Sequence, residues 1–89
     1  MALPDEEGFV VLFREVARAS DRKHRDFTAV SPRSELSALG VDSFTLMEIL
    51  GRLEERLGCS LTDERIARLK TIADVREAFA DARAGRGEG

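Results

Sequence analysis

The sequence predicts an all-α fold, a small four-helix bundle with three longer helices, one short third helix and a long loop between helices one and two. Three observations carry this. Apolar residues recur at three- and four-residue spacing in three separate stretches. Each stretch opens on a residue suited to helix starts, and the second is closed by a glycine. No stretch shows the alternation of apolar and polar residues that marks a half-buried strand.

Residues 1–7 are an acidic lead-in. The first helix is expected from about Gly8 to Ala19, with Phe9, Leu12, Phe13, Val16 and Ala17 as its apolar stripe and Arg14, Glu15 and Arg18 facing out. Asp5, Glu6 and Glu7 fall at its positive end, where negative charge is favoured. Residues 20–30 show no clean period and read as a long loop, pinned to the core by Phe27 and Val30. Arg22, Lys23, His24 and Arg25 make it the most basic run of the chain, either a solvated loop or a docking element. Ser31-Pro32 reads as a cap and first helical residue, opening one or two turns that point Leu36 and Leu39 inward.

Leu39-Gly40-Val41-Asp42-Ser43 is a turn that delivers a serine to the next helix, expected over Ser43–Leu57. Gly40 supplies backbone freedom and Asp42 is a good N-cap. Leu46, Ile49, Leu50, Leu53 and Leu57 share one face, and Ser43 precedes it and points to solvent. A hydroxyl there suits a phosphate, because free amides and the helix dipole favour negative charge. Gly58 is placed as the stop. A short helix over Thr62–Leu69 follows, capped by Thr62 and anchored only by Ile66 and Leu69, which makes it the most mobile element. Thr71-Ile72-Ala73-Asp74 opens the last helix in the manner of a capping box, with Ile72, Val75, Phe79 and Ala82 as its stripe and an end near Arg83.

At 89 residues the chain is read as a single domain, 1–89, with an ordered core of about 8–83 and flexible ends. A 43% hydrophobic content suffices for a globular core. One cysteine excludes an internal disulfide, and no Cys/His cluster exists for a metal. Net charge is −3 with neither half basic, which argues against nucleic acid as a partner. Neither a signal-peptide pattern nor a membrane-length apolar run is present, so the expected location is cytoplasmic, with no membrane partner.

The Leu-Gly-x-Asp-Ser segment leading into an amphipathic helix resembles the acyl carrier protein family. Leu61, the acidic pair Asp63-Glu64 and the Thr71-Ile72 start of the last helix extend the resemblance over most of residues 9–82. It implies that Ser43 is a modification site and not a catalyst. A phosphopantetheinyl transferase would use coenzyme A to esterify Ser43 with 4′-phosphopantetheine, whose thiol carries an acyl chain as a thioester. It also implies that Asp42 adjoins the arm as well as capping the helix. Phe44, Met47 and Glu48 then form a surface for partner enzymes, such as a ketosynthase or acyltransferase; read without the resemblance, Phe44 and Met47 are core edge. The implied protein is a monomer, and its short helix is the element to move aside if the chain is sheltered between helices two and three.

The second helix departs from the strongly acidic pattern of the family. Glu48, Glu54 and Glu55 stand against Arg52 and Arg56, Thr45 replaces a frequent acid, and Phe44 replaces a leucine. This favours a dedicated carrier in polyketide or other specialised acyl biosynthesis over a fatty-acid generalist. A peptidyl or aminoacyl carrier is the nearest alternative, though Gly40-Val41-Asp42-Ser43 holds one glycine where peptidyl carriers commonly show two. A helical interaction module without prosthetic group is a third reading. A serine hydrolase has no nucleophile elbow and only His24 for a base. Cys59 reads as a small packing residue.

Overall fold

The computed structural model describes residues 3–21 and 27–85. Four α-helices follow in order: α1 Glu6–Ser20, α2 Ser43–Leu57, α3 Asp63–Ala67 and α4 Ile72–Arg83. A 3₁₀ turn, Leu36–Leu39, precedes α2. Among the described residues there is no strand, only an isolated antiparallel bridge between Glu35 and Thr71. No helix among the described residues is long and apolar enough to cross a membrane. The basic run Arg22–Arg25, with His24, and the chain ends at 1–2 and 86–89 lie outside the described residues.

α1 begins two residues before the expected Gly8. Asp5 is its cap, the carboxylate accepting from the Gly8 amide at 2.8 Å, so the acids Glu6 and Glu7 fall inside the first turn. Its buried face holds Phe9, Val10, Phe13, Val16 and Ala17. Val10 joins the stripe because α1 packs on both α2 and α4, a wider arc than one stripe covers. Leu12 is half-buried. Arg14, expected to face out, is also half-buried, with its Nε shielded from solvent.

The loop behaves as expected at Phe27, which is buried, and at Val30, which packs against the core. No helix starts at Ser31. The Ser34 hydroxyl accepts from the Ser31 amide at 2.9 Å, closing a turn, and the single 3₁₀ turn comes only at Leu36. The reason is a long-range demand on the backbone. Ser34 and Pro32 carbonyls accept from the Ile72 and Ala73 amides at 3.1 and 2.8 Å, and the Leu36 amide donates to the Lys70 carbonyl at 2.7 Å. A helix through Ser31–Glu35 would use those carbonyls internally and leave the first amides of α4 without acceptors.

α2 spans the expected residues. Ile49, Leu50, Leu53 and Leu57 are buried, and Gly58 closes the helix in the left-handed region at φ 72°. The Arg83 side chain donates to the Leu57 carbonyl at 2.9 Å, satisfying another acceptor at that end. α3 is shorter than the expected Thr62–Leu69: it stops at Ala67, and Ile66 and Leu69 are only partly covered. With no buried residue of its own, α3 is held by Thr62 at its start and by Arg65, which donates to Asp81 on α4 at 2.9 Å. α4 opens on a complete capping box: Thr71 Oγ1 accepts from the Asp74 amide at 3.1 Å and Asp74 Oδ2 from the Thr71 amide at 3.0 Å. Ile72, Val75, Ala78 and Phe79 are buried, and Phe79 meets Phe9 with ring centroids 6.4 Å apart. The core thus lies where α1, α2 and α4 converge, with α3 at its edge.

Candidate functional site

The turn before α2 is set by Gly40, which ends the 3₁₀ turn in the left-handed region at φ 79°. Val41 then packs against the core and fixes where the helix begins. Asp42 takes an extended backbone, and its carboxylate accepts from the Thr45 amide at 2.7 Å. The Leu46 amide starts the helical ladder by donating to the Asp42 carbonyl at 3.0 Å. Ser43 is therefore the first residue of α2, and its side chain is exposed.

This position offers exposure and amide dipoles. The ladder begins at Leu46 and Thr45 is capped by Asp42, so the Ser43 and Phe44 amides have no acceptor within the helix. An anionic phosphate ester on Ser43 fits that end of the helix. Among the described residues, Asp42, Phe44, Thr45 and Met47 are the sequence neighbours of Ser43 on the first turn and a half. Among the described residues no group of three His, Cys, Asp or Glu side chains is placed to hold a metal ion.

Phe44 is 70% exposed and Met47 48% exposed, the two largest apolar exposures on α2. The expectation that they might be core edge fails here; they stand beside Ser43 on the outer face, because Leu46, Ile49 and Leu50 already fill the inner one. Glu48 is half-buried and lies 3.6 Å from Arg52 one turn on, so its charge is partly answered within the helix. Cys59, just after α2, is half-buried as expected; burial pushes its thiol up from the usual range, with Glu54 adding and Arg83 opposing. The Arg65–Asp81 pair was not visible in the sequence, since nothing local to α3 names a partner on α4. A cleft of about 560 Å³ opens between the 3₁₀ turn and the α3–α4 connection, lined by Leu36, Leu69 and Thr71 among others.

The described residues form a helical bundle that sets an exposed serine at the start of α2. Residues 12–79 match the family model described as the phosphopantetheine attachment site. The chain belongs to that family, with the fold of acyl carrier proteins, and its members are non-catalytic carriers whose prosthetic group is 4′-phosphopantetheine. An acyl carrier protein homolog of Ureaplasma parvum is 36% identical over 47 residues, 53% of this chain and 61% of that protein. The acyl carrier protein of Helicobacter pylori is 29% identical over 68 residues, 74% of this chain and 87% of that one. An orsellinic acid synthase of Beauveria bassiana is 46% identical over 48 residues, 53% of this chain and 2% of that protein. The chain thus spans under two thirds of the length of some curated relatives that it matches. Among solved structures, the acetyl actinorhodin acyl carrier protein of Streptomyces coelicolor superposes with a TM-score of 0.67 at 26% identity, covering 94% of this chain and 95% of that one. The oxytetracycline acyl carrier protein does so at 0.66 and 25%, covering 100% and 92%.

Proposed function

We propose that Ser43 is the serine that receives 4′-phosphopantetheine and that the chain carries acyl intermediates as thioesters between enzymes of a polyketide or other specialised acyl pathway. The observation that carries this reading is the exposed Ser43 at the first position of α2, behind the capping Asp42 and inside the matched span 12–79. In loading, the Ser43 oxygen forms a bond to the phosphorus of coenzyme A that bears pantetheine. The pyrophosphate bridge breaks, the nucleotide half leaves, and the hydroxyl proton passes to the transferase. When attached, the group supplies a thiol for the acyl chain at the end of a flexible tether.

The protein's part is presentation. Asp42 holds the first turn of α2 in place, and the Ser43 and Phe44 amides face the phosphate. Phe44, Met47 and Glu48 meet the phosphopantetheinyl transferase and then enzymes such as a ketosynthase or acyltransferase. Tethering raises the concentration of the acyl group at each of their active sites. The polyketide assignment is supported by the actinorhodin and oxytetracycline carriers, which align over nearly the whole chain, and by the mixed charge of α2. If α3 admits an acyl chain, amide exchange over 62–69 changes on acylation.

The test is intact mass after incubation with coenzyme A, magnesium and a promiscuous phosphopantetheinyl transferase. A gain of one phosphopantetheine, absent in Ser43→Ala, is expected. Folded protein that gains nothing from several transferases leaves an interaction module without prosthetic group.

A further inference from the structure

Gly51 lies in the middle of α2, where glycine is the least favourable residue after proline. Gly40, Gly58 and Gly85 have a backbone reason, since all three are left-handed, and Gly8 has a packing one, since a Cβ there would lie 3.1 Å from Asp5 and Pro4. Gly51 has no backbone reason, since its backbone is helical. Packing gives no reason either: beyond its own turn of helix, a Cβ at Gly51 would meet no atom of the described residues within 4 Å. Among the described residues, no contact requires the missing side chain.

Its position on the helix supplies a reason outside the molecule. Phe44, Met47 and Gly51 are spaced by three and four residues and form one outward stripe. The stripe starts beside Ser43 with two exposed apolar side chains and ends in a dip at Gly51, rimmed by Arg52 and Glu55. Gly51 is eight residues beyond Ser43, roughly 12 Å along the axis. A specific interface covers about 800 Å² per partner, a patch about 30 Å across. An enzyme that takes Ser43 into its active site and lies along the exposed face of α2 therefore covers Gly51 as well. The Glu48–Arg52 contact answers one charge beside the dip and Glu55 leaves a single negative charge on its rim, so shape and apolar contact with Phe44 and Met47 are the larger part of what a partner can read there.

Resting on the reading of Ser43 as the attachment site, we infer that Gly51 is a specificity-determining residue: the dip receives a protruding apolar side chain of the phosphopantetheinyl transferase that loads Ser43. The experiment compares loading kinetics of wild type, Gly51→Ala, Gly51→Leu and the control Arg18→Leu, which adds an exposed leucine on α1. Rates are read by intact mass with saturating coenzyme A and the transferase that loads the wild type. Gly51→Leu is expected to raise KM for the carrier by about tenfold with kcat retained, the pattern of lost uniform binding. Gly51→Ala is expected to melt a few degrees higher than wild type, showing that the fold does not use the glycine. The control keeps the wild-type KM. A Gly51→Leu KM within about twofold of wild type, or a Gly51→Ala protein that melts lower, overturns the inference. Absence of any mass gain in wild type overturns instead the assignment of Ser43.

Discussion

Replacing Asp42 tests how the attachment turn is held. The carboxylate accepts from the Thr45 amide at 2.7 Å, one of the donors at the start of α2 that the helix cannot satisfy itself. Asp42→Ala removes that acceptor, at a cost of about 1 kcal/mol. For a chain of 89 residues, unfolding entropy near 2.1 cal/mol/K per residue converts this to a fall of about 5 °C in Tm. Asp42→Asn keeps an acceptor of the same reach, and Asn caps about as well as Asp, so its Tm is expected within about 2 °C of wild type. Thermal unfolding followed by circular dichroism at 222 nm reads both. An Asp42→Ala protein that melts with wild type, or an Asp42→Asn protein as destabilised as Asp42→Ala, would refute the cap argument; the second result would assign the effect to charge. The same pair separates the helix from the chemistry. If the transferase also uses the carboxylate, Asp42→Asn keeps its Tm and loses loading rate.

Three further outcomes follow from other contacts. Arg65→Ala removes a half-buried ion pair with side chains 19% and 21% exposed, for about 1 kcal/mol, between surface and buried values; hydrogen exchange is expected to quicken at 63–67 far more than in α1 or α2, and a uniform increase would contradict the view that α3 opens alone. The Asp74 carboxyl is held below its ordinary value chiefly by the Thr71 amide, with the Lys70 amide and Thr71 hydroxyl adding and burial opposing. A depressed folded value means that its contribution is present above about pH 4 and is lost as pH falls through the folded value. The difference in urea midpoint between wild type and Asp74→Ala is thus expected to shrink from pH 6 to pH 3; a constant difference would show that the charge is not involved. At neutral pH the raised Cys59 thiol is expected to react with iodoacetamide more slowly than the free thiol of a loaded arm, which peptide mapping after brief treatment resolves.

The elements readable from sequence are those whose causes are local. α2 could be bounded at Ser43 and Leu57 because Asp42 caps one end and Gly58 the other within a residue of the helix. The Thr71–Asp74 capping box works the same way, and the apolar spacing of Ile49, Leu53, Ile72, Val75 and Phe79 marked the core faces. The candidate site shares this legibility: Gly40, Asp42 and Ser43 are consecutive requirements of one turn. The start of α1 was misplaced for a small reason, since Asp5 acts as a cap three residues ahead of Gly8, in a run of acids that all suit a helix start.

Tertiary structure alone decided what depends on distant partners. Ser31-Pro32 has the local features of a helix start, yet Pro32, Ser34 and Leu36 give their backbone groups to residues 70–73, 34 to 41 positions away. Val10 and Arg14 are covered because α1 packs between α2 and α4, which no spacing on α1 reveals. Phe44 and Met47 are apolar and read equally well as core edge or surface. Only the assembled bundle shows that Leu46, Ile49 and Leu50 have filled the inner face of α2 and left those two, and the open space above Gly51, to the outside. Periodicity records which residues share a face of a helix; which face is covered depends on the packing of the other helices against it.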